Sequence, residues 1–214
     1  MLIEEAIAAG WDIEAQFVAP DGEPVEGSQA AIHDLAPHVI ERVASTEAPQ
    51  PVLAVVRMRM PTIADLSDSS LVVVCDRIAD PGNLGTIMRS CEAAGVDGVV
   101  LISGSVDPFN PKVVRASAGA LFHVPVIGDV SLPDLRALSL PLVGTSSHEG
   151  VSVFDADLTA PFALVMGSEA HGIDEQVPID SWLSIPHRGR SESLNVAMAT
   201  TVVVFEAVRQ RTAR

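Results

Sequence analysis

No stretch of this chain approaches the roughly 20 consecutive apolar residues that span a bilayer. Apolar residues nonetheless make up 48% of its 214 positions, enough for a substantial core in one large domain, or one domain with a small appendage. A membrane partner is therefore not expected. Cysteine is nearly absent: Cys75 and Cys91 stand in apolar surroundings, without metal-ligand spacing. That excludes a disulfide framework and predicts two free buried thiols in a cytoplasmic protein. The six histidines are scattered, so no metal is expected. Phosphate-cradling loops are missing as well, since no G-x-G-x-x-G follows a strand and no G-x-x-x-x-G-K occurs. Gly144-Thr-Ser-Ser-His148 lacks the second glycine of a serine-hydrolase elbow at the required spacing. Hydrolase, nucleotide-binding and metalloenzyme readings fall together. There is no internal repeat and no low-complexity segment. The acidic start MLIEEAIAAGWD is helical in pattern and unlike a signal peptide.

Basic charge is scarce: 13 Lys and Arg face 28 Asp and Glu, a net of −15. Phosphate contacts need cations, so this balance argues against a nucleic-acid partner. The distribution softens the argument. Residues 1–50 hold ten acids and one base, a net of −9, leaving −6 for residues 51–214. Arg57, Arg59, Arg89, Lys112, Arg115, Arg188 and Arg190 all fall in the second part.

Residues 1–50 read as a small α/β appendage, with a helix over 1–10, a short strand near Ala15–Ala19, a turn at Pro20–Pro24 and a helix over Leu35–Ala44. Residues 51–70 read as a connecting strand, Val52–Arg57, and a linker. From Leu71 the pattern is regular. Apolar runs at Leu71–Cys75, Gly98–Ile102, Val124–Ile127, Leu140–Gly144 and Phe162–Met166 predict buried strands. Helical patterns intervene at Leu84–Ala94, Lys112–Leu121 and Leu132–Leu138. Alternating strand and helix predicts an α/β fold over 71–214: a mostly parallel sheet with helices on both faces.

Three stretches carry chemistry. The first, Asp76-Arg-Ile-Ala-Asp-Pro-Gly-Asn-Leu-Gly-Thr-Ile-Met-Arg89, follows a buried strand and opens a helix, a corner where open α/β sheets place ligands. A tight turn capped by Asn83 would explain its Pro, Gly and Asn, and Gly85 would allow close backbone approach. Arg89 lies among Leu84, Ile87 and Met88, where an unpaired guanidinium is costly, so it is expected to meet an anion. In the second, Leu164-Val-Met-Gly-Ser-Glu-Ala-His-Gly-Ile173, a buried strand runs straight into Gly167, with Glu169 and Gly172 in the loop. The third, Ile185 to Arg214, opens as a polar loop, IPHRGRSES, and turns abruptly apolar: eleven of the fifteen residues Leu194–Val208 are Leu, Val, Ala, Met or Phe. Thr200–Val204 is β-branched, but length, Ala and Met content and the basic end Arg209–Arg211 predict a helix buried on most of its surface. Ser193 is the expected N-cap. Asn195 is either a helper in that cap or a polar group held at the mouth of the helix for chemistry.

DPGNLGTIMRSCEAAGVDGV, LVMGSEAHGI and PHRGRSESLNVAMA resemble, in order, the three motifs of the SpoU (TrmH-type) RNA ribose methyltransferases of the knotted SPOUT superfamily. Ser168 stands where an Asn is expected beside the Glu, and His187 where an apolar residue is commoner. The resemblance covers roughly residues 71–211 and implies a deep C-terminal trefoil knot, the chain from Gly167 onward threading through a loop. It implies a homodimer and transfer of a methyl group from S-adenosyl-L-methionine to a ribose 2′-hydroxyl of RNA, with ribosomal RNA favoured and transfer RNA left open. By the same resemblance Gly167, Ile185, Pro186 and Leu194 line the donor pocket and Thr145 borders it. Arg89, Asn83, Glu169, Ser193 and Asn195 would surround the reacting hydroxyl. The N-terminal 1–50 resembles a truncated or reduced RNA-substrate-binding domain lacking its first strand. Two other readings stay open: a non-catalytic RNA-binding or assembly protein on this scaffold, and a methyltransferase acting on the base.

Overall fold

The computed structural model describes residues 1–44, 48–190 and 193–213, and the chain forms two compact units, Met1–Arg59 and Met60–Arg214. In the first, helix α1 (Leu2–Ala8) is followed by strands β1 (Ile13–Val18) and β2 (Ala31–Asp34), a short helix α2 (Val39–Val43) and strand β3 (Val52–Val56). The sheet order is β2-β1-β3, parallel between β1 and β2 and antiparallel between β1 and β3. The strand foreseen at Val52–Arg57 thus pairs with β1 and belongs to this unit. Ile3, Val18 and Val52 form its small core. Gln16, only 1% exposed, satisfies its amide by accepting from Val25 N and donating to Val25 O and Ser28 Oγ. The helix expected over Leu35–Ala44 is confined to Val39–Val43, because Pro37 holds the preceding residue out of helical geometry and His38 is left-handed at φ 66°.

The second unit is one seven-stranded sheet in the order β6-β5-β4-β9-β7-β10-β8, and all six ladders are parallel. Its strands are β4 (Leu71–Cys75), β5 (Gly98–Ile102), β6 (Val126–Val130), β7 (Leu142–Thr145), β8 (Val151–Ser152), β9 (Phe162–Met166) and β10 (Ser181–Ser184). Helices α3 (Pro81–Ala94), α4 (Pro111–Ala116), α5 (Leu132–Leu135) and α6 (Val196–Thr212) flank it. Side chains alternate along β4: Leu71, Val73 and Cys75 join the core under α3 and α6, while Val72 and Val74 join a second core with Leu135 and Leu138. A strand apolar at every position, and buried at all five, is the mark of a sheet covered on both faces.

Strands β4, β5 and β9 lie where the apolar runs placed them. Strand β6 begins two residues later than expected. Pro125 has no N–H to give the ladder, and Asp129, at φ 55°, extends the strand through an irregularity to Val130. The helix expected over Lys112–Leu121 is broken by Gly119, at φ 101°, into α4 and a short 3-10 turn at Ala120–Phe122. Helix α6 buries Val196, Ala197, Thr200, Val203, Val204 and Ala207, the i, i+4, i+7 face, rather than most of its surface. Met198 and Phe205 remain 62% and 43% exposed. Its threonines are reconciled with the helix by back-bonding, Thr200 Oγ1 to Val196 O and Thr201 Oγ1 to Ala197 O, both 2.8 Å. No described helix is long and apolar enough to cross a membrane.

Candidate active site

Strands β9, β7 and β10 lie side by side, and the carboxyl ends of β9 and β7 open onto a cleft of about 760 Å³ beside Trp182 of β10. The loop after β9, the loop after β7, Ile185 and the N-terminus of α6 wall it. This is where a parallel sheet leaves room for a ligand.

Helix α3 starts as its sequence dictates. Asp80 is the N-cap, accepting from Asn83 N at 2.8 Å, and Pro81 sits at N1, where its missing N–H costs nothing. Asn83 is therefore not the cap, and its side chain is free for other work. Gly85 is required by packing, since a Cβ there would lie 2.4 Å from Ala116 Cβ on α4. At the start of α6 the expected cap is displaced by two residues. Asn195, not Ser193, is the N-cap: its Oδ1 accepts from Ala197 N (2.9 Å) and Met198 N (3.3 Å).

These two ends meet. Asn195 Nδ2 donates to Asn83 Oδ1 at 2.8 Å, and Asn83 Nδ2 donates to Glu169 Oε1. The direction of this chain is set at both ends. The helix amides can only donate, so they claim the Asn195 oxygen, and the Glu169 carboxylate can only accept. One line of hydrogen bonds thus joins all three motif stretches.

Of the residues expected at the donor pocket, Thr145, Gly167, Ile185 and Leu194 line the cleft, as do Glu169, Ser193 and Asn195 from the second set. Pro186 is exposed and is not part of the lining, and Asn83 reaches the site only through its two partners. Arg89 departs furthest. Instead of lying within the apolar segment it is exposed on α3, because Leu84, Ile87, Met88 and Cys91 occupy the buried face and Arg89 falls on the opposite one. It has no ion-pair or hydrogen-bond partner among the described residues. Ser191 and Glu192 of the third stretch lie outside the described residues.

Gly167 admits no side chain: a Cβ would sit 2.2 Å from Gly172 C and 2.3 Å from Ile173 N. Ser168 N and Gly172 N each bond to the other residue's carbonyl, at 3.0 and 2.9 Å, closing the loop on itself. Thr145 Oγ1 reaches Val165 O at 3.3 Å, and His187 on the cleft wall carries a buried Nε2 without a partner among the described residues. A roomy cleft with backbone on one wall and an unpaired imidazole nitrogen on another fits a large polar ligand such as S-adenosyl-L-methionine. Sequence reasoning missed Trp182, the Ser146–Glu149 loop and Ala199, all lining residues. Trp182 had one legible trace, since its ring covers Gly144, where a Cβ would lie 2.7 Å from it. Neither thiol is a candidate nucleophile, because burial pushes Cys75 up to about 12 and holds Cys91 well above its ordinary value.

Known proteins share this arrangement. The SpoU rRNA Methylase family model matches residues 70–205. The chain is 33% identical over 212 residues to the 23S rRNA (guanosine(2553)-2'-O)-methyltransferase RlmP of Bacillus subtilis (strain 168), covering 95% of this chain and 84% of that one. It is 40% identical over 182 residues to the 23S rRNA (uridine(2479)-2'-O)-methyltransferase of Streptomyces viridochromogenes, covering 77% of this chain and 62% of that relative, less than two thirds of its length. Among solved structures, the SpoU methyltransferase AviRb from Streptomyces viridochromogenes in complex with the cofactor AdoMet superposes with a TM-score of 0.87 at 32% identity, over 99% of this chain and 87% of that chain. The AdoMet-bound rRNA methyltransferase from Sinorhizobium meliloti gives 0.86 at 29% identity, over 97% and 84%. With the model matching well over half of its length, the chain belongs to the SpoU rRNA methylase family.

Proposed function

We propose that this protein is an S-adenosyl-L-methionine-dependent methyltransferase of an RNA ribose 2′-hydroxyl, acting on ribosomal RNA. The observation that carries the reading is the Glu169–Asn83–Asn195 line at the mouth of the cleft, which joins three distant stretches at one point. When bound, the donor supplies an electrophilic methyl on a sulfonium, open to in-line displacement. The chain's own part is positioning and charge. Gly167, Ile185 and Leu194 hold the donor against backbone, with Thr145 beside it. The fixed polarity of Asn195 and Asn83 holds the Glu169 carboxylate in place at the mouth of the cleft, where the ribose enters. Arg89, exposed and without a described partner, holds the target phosphate and stabilises developing alkoxide charge; as the methyl–oxygen bond forms and the methyl–sulfur bond breaks, the hydroxyl proton is released to solvent at the open mouth of the cleft. Ser193 orients the nucleotide.

The reading includes a homodimer and a knot. Met198 and Phe205 leave apolar surface on the outward face of α6 that a second copy would cover, with a second Arg89 brought to the site by the two-fold symmetry. Strand β10 inserts between β7 and β8, both earlier in the chain, and α6 then returns to pack on α3, which favours a threaded C-terminus.

Calorimetric titration with S-adenosyl-L-methionine tests the donor site without an RNA. One saturable site per chain is expected, lost on Ala199→Trp, which fills the cleft from α6. Labelled ribosomal RNA digested with nuclease P1 and analysed by mass spectrometry then places the methyl. Methyl on the sugar is the expected outcome. Methyl on the base would overturn the ribose assignment, and no donor binding by folded protein would leave an RNA-binding scaffold.

A further inference from the structure

The cleft loop after β9 is anchored at its far end by groups that do not line the cleft. Strands β4 and β9 stop side by side at Cys75 and Met166, and Asp76 N extends the ladder to Met166 O at 2.8 Å. From there β9 enters the loop Gly167–Asp174, while β4 continues into Asp76 and Arg77. Asp76 is 1% exposed, the only charged side chain so buried among the described residues. Its Oδ2 accepts from Asp174 N at 2.7 Å. Arg77 folds back onto the same carboxylate, Nε to Oδ1 at 3.2 Å and Nη2 to Oδ2 at 3.3 Å, and its Nη1 reaches Asp174 Oδ2 at 2.9 Å. Neighbouring residues in an extended chain point to opposite sides. Here the reversal comes from Arg77 at φ 53°, a left-handed conformation that a non-glycine residue holds only when its surroundings require it.

We propose that Asp76 and Arg77 are positioning residues for methyl transfer, a clamp that fixes the Asp174 end of the donor loop. The inference rests on the function proposed above. Ser168 and Gly172 close the loop on itself, and Gly167 packs directly against Gly172 and Ile173, so the position of Asp174 is coupled to the rest of the loop. Clamping Asp174 therefore sets where Gly167 and Ile173 meet the donor and where Glu169 meets Asn83. Asp76 and Arg77 act only through that loop, since neither lines the cleft.

The test uses Arg77→Gly, because glycine occupies φ 53° without strain, so the variant removes the side chain and its guanidinium without changing the backbone conformation. Amide hydrogen exchange in the donor-free protein is read first. Exchange at Gly172 and Asp174 is expected to rise about tenfold while Gly98–Ile102 is unchanged. No change at the loop, or an equal rise in the strand, would overturn the clamp. Donor affinity is read next by Trp182 fluorescence in a Trp11→Phe background, and should weaken about tenfold in Arg77→Gly. Asp76→Asn, which keeps an acceptor for Asp174 N, should fall between. A loosened loop with unaltered affinity would overturn the positioning role. A wild-type protein that takes no donor would sink the proposed function, while the exchange result would still decide the clamp.

Discussion

Asn195 does two things with one amide, and the two can be separated by substitution. Its oxygen caps α6 and its nitrogen donates to Asn83. Asn195→Ala removes both and should destabilise the fold by about 1 kcal/mol, the usual worth of an N-cap. Asn195→Asp keeps the cap, and a negative charge at a helix N-terminus is favourable, so thermal stability should be retained. It also places a carboxylate against Asn83 Oδ1, so Asn83 must turn its amide away from Glu169. A methylation assay should therefore show the Asn195→Asp variant as stable as wild type yet strongly impaired. Equal activity would reduce Asn195 to a cap. Arg89 gives the complementary case. It is exposed and has no hydrogen bond or ion pair among the described residues, so Arg89→Ala should leave the melting temperature and donor affinity in place. Turnover should fall by about 100-fold or more, as when an electrostatic stabiliser of the transition state is lost. Near-normal turnover would take Arg89 out of the chemistry.

At the scale of elements, α6 is held at both ends by side chains. At its C-terminal end Gln210 Oε1 accepts from Leu158 N, and Arg211 donates to Leu158 O (3.1 Å), Ala160 O (2.9 Å) and Ser70 O (3.1 Å) while lying 5.6 Å from the Phe162 ring. Arg209, two residues earlier, pairs only with Glu206 on its own helix among the described residues; Arg209 is 64% exposed, whereas the Glu206 side chain is only 9% exposed and also accepts from Gln210 Nε2. Arg211→Ala should cost about 2 kcal/mol, read as a fall in the chemical-denaturation midpoint, since three carbonyls lose a charged donor. Arg209→Ala should lower the midpoint by less, because Gln210 Nε2 still donates to the Glu206 carboxylate that Arg209 leaves. The sequence reading assigned both arginines to a basic helix end, and only the fold tells them apart. The same limit governed the strands. Leu71–Cys75, Gly98–Ile102 and Phe162–Met166 are buried on both faces, and five consecutive apolar residues announce that. Ser181–Ser184 and Val151–Ser152 were missed, because short, partly exposed strands at one side of a sheet need no apolar run. Within the site, glycine and asparagine positions were legible from the motifs. That Asn83 is uncapped and bonded to Glu169 was not, since it depends on Asp80 taking the cap and on residues 86 and 112 positions away.

For the whole molecule, the charge balance constrains how RNA is held. The unit Met1–Arg59 carries ten acids and three bases, and Met60–Arg214 eighteen acids and ten bases. Several of those ten are already committed: Arg77 to Asp76 and Asp174, Arg209 to Glu206, Arg211 to backbone carbonyls. Arg89, Lys112, Arg136, Arg188 and Arg190 are exposed and have no ion pair among the described residues; three of them, Arg89, Arg188 and Arg190, lie on the motif stretches that carry the site. Each phosphate neutralised on a single strand contributes about −0.7 to the slope of log K against log salt. Three such cations predict a slope of about −2 per chain, shallow for an RNA-modifying protein. Titrating a labelled ribosomal-RNA fragment across salt concentrations measures it. Arg188→Ala and Arg190→Ala should each flatten the slope by about 0.7 and weaken binding at every sequence tested, as phosphate contacts do. A much steeper slope would require cations other than these three, and would locate the RNA on a face away from the cleft mouth.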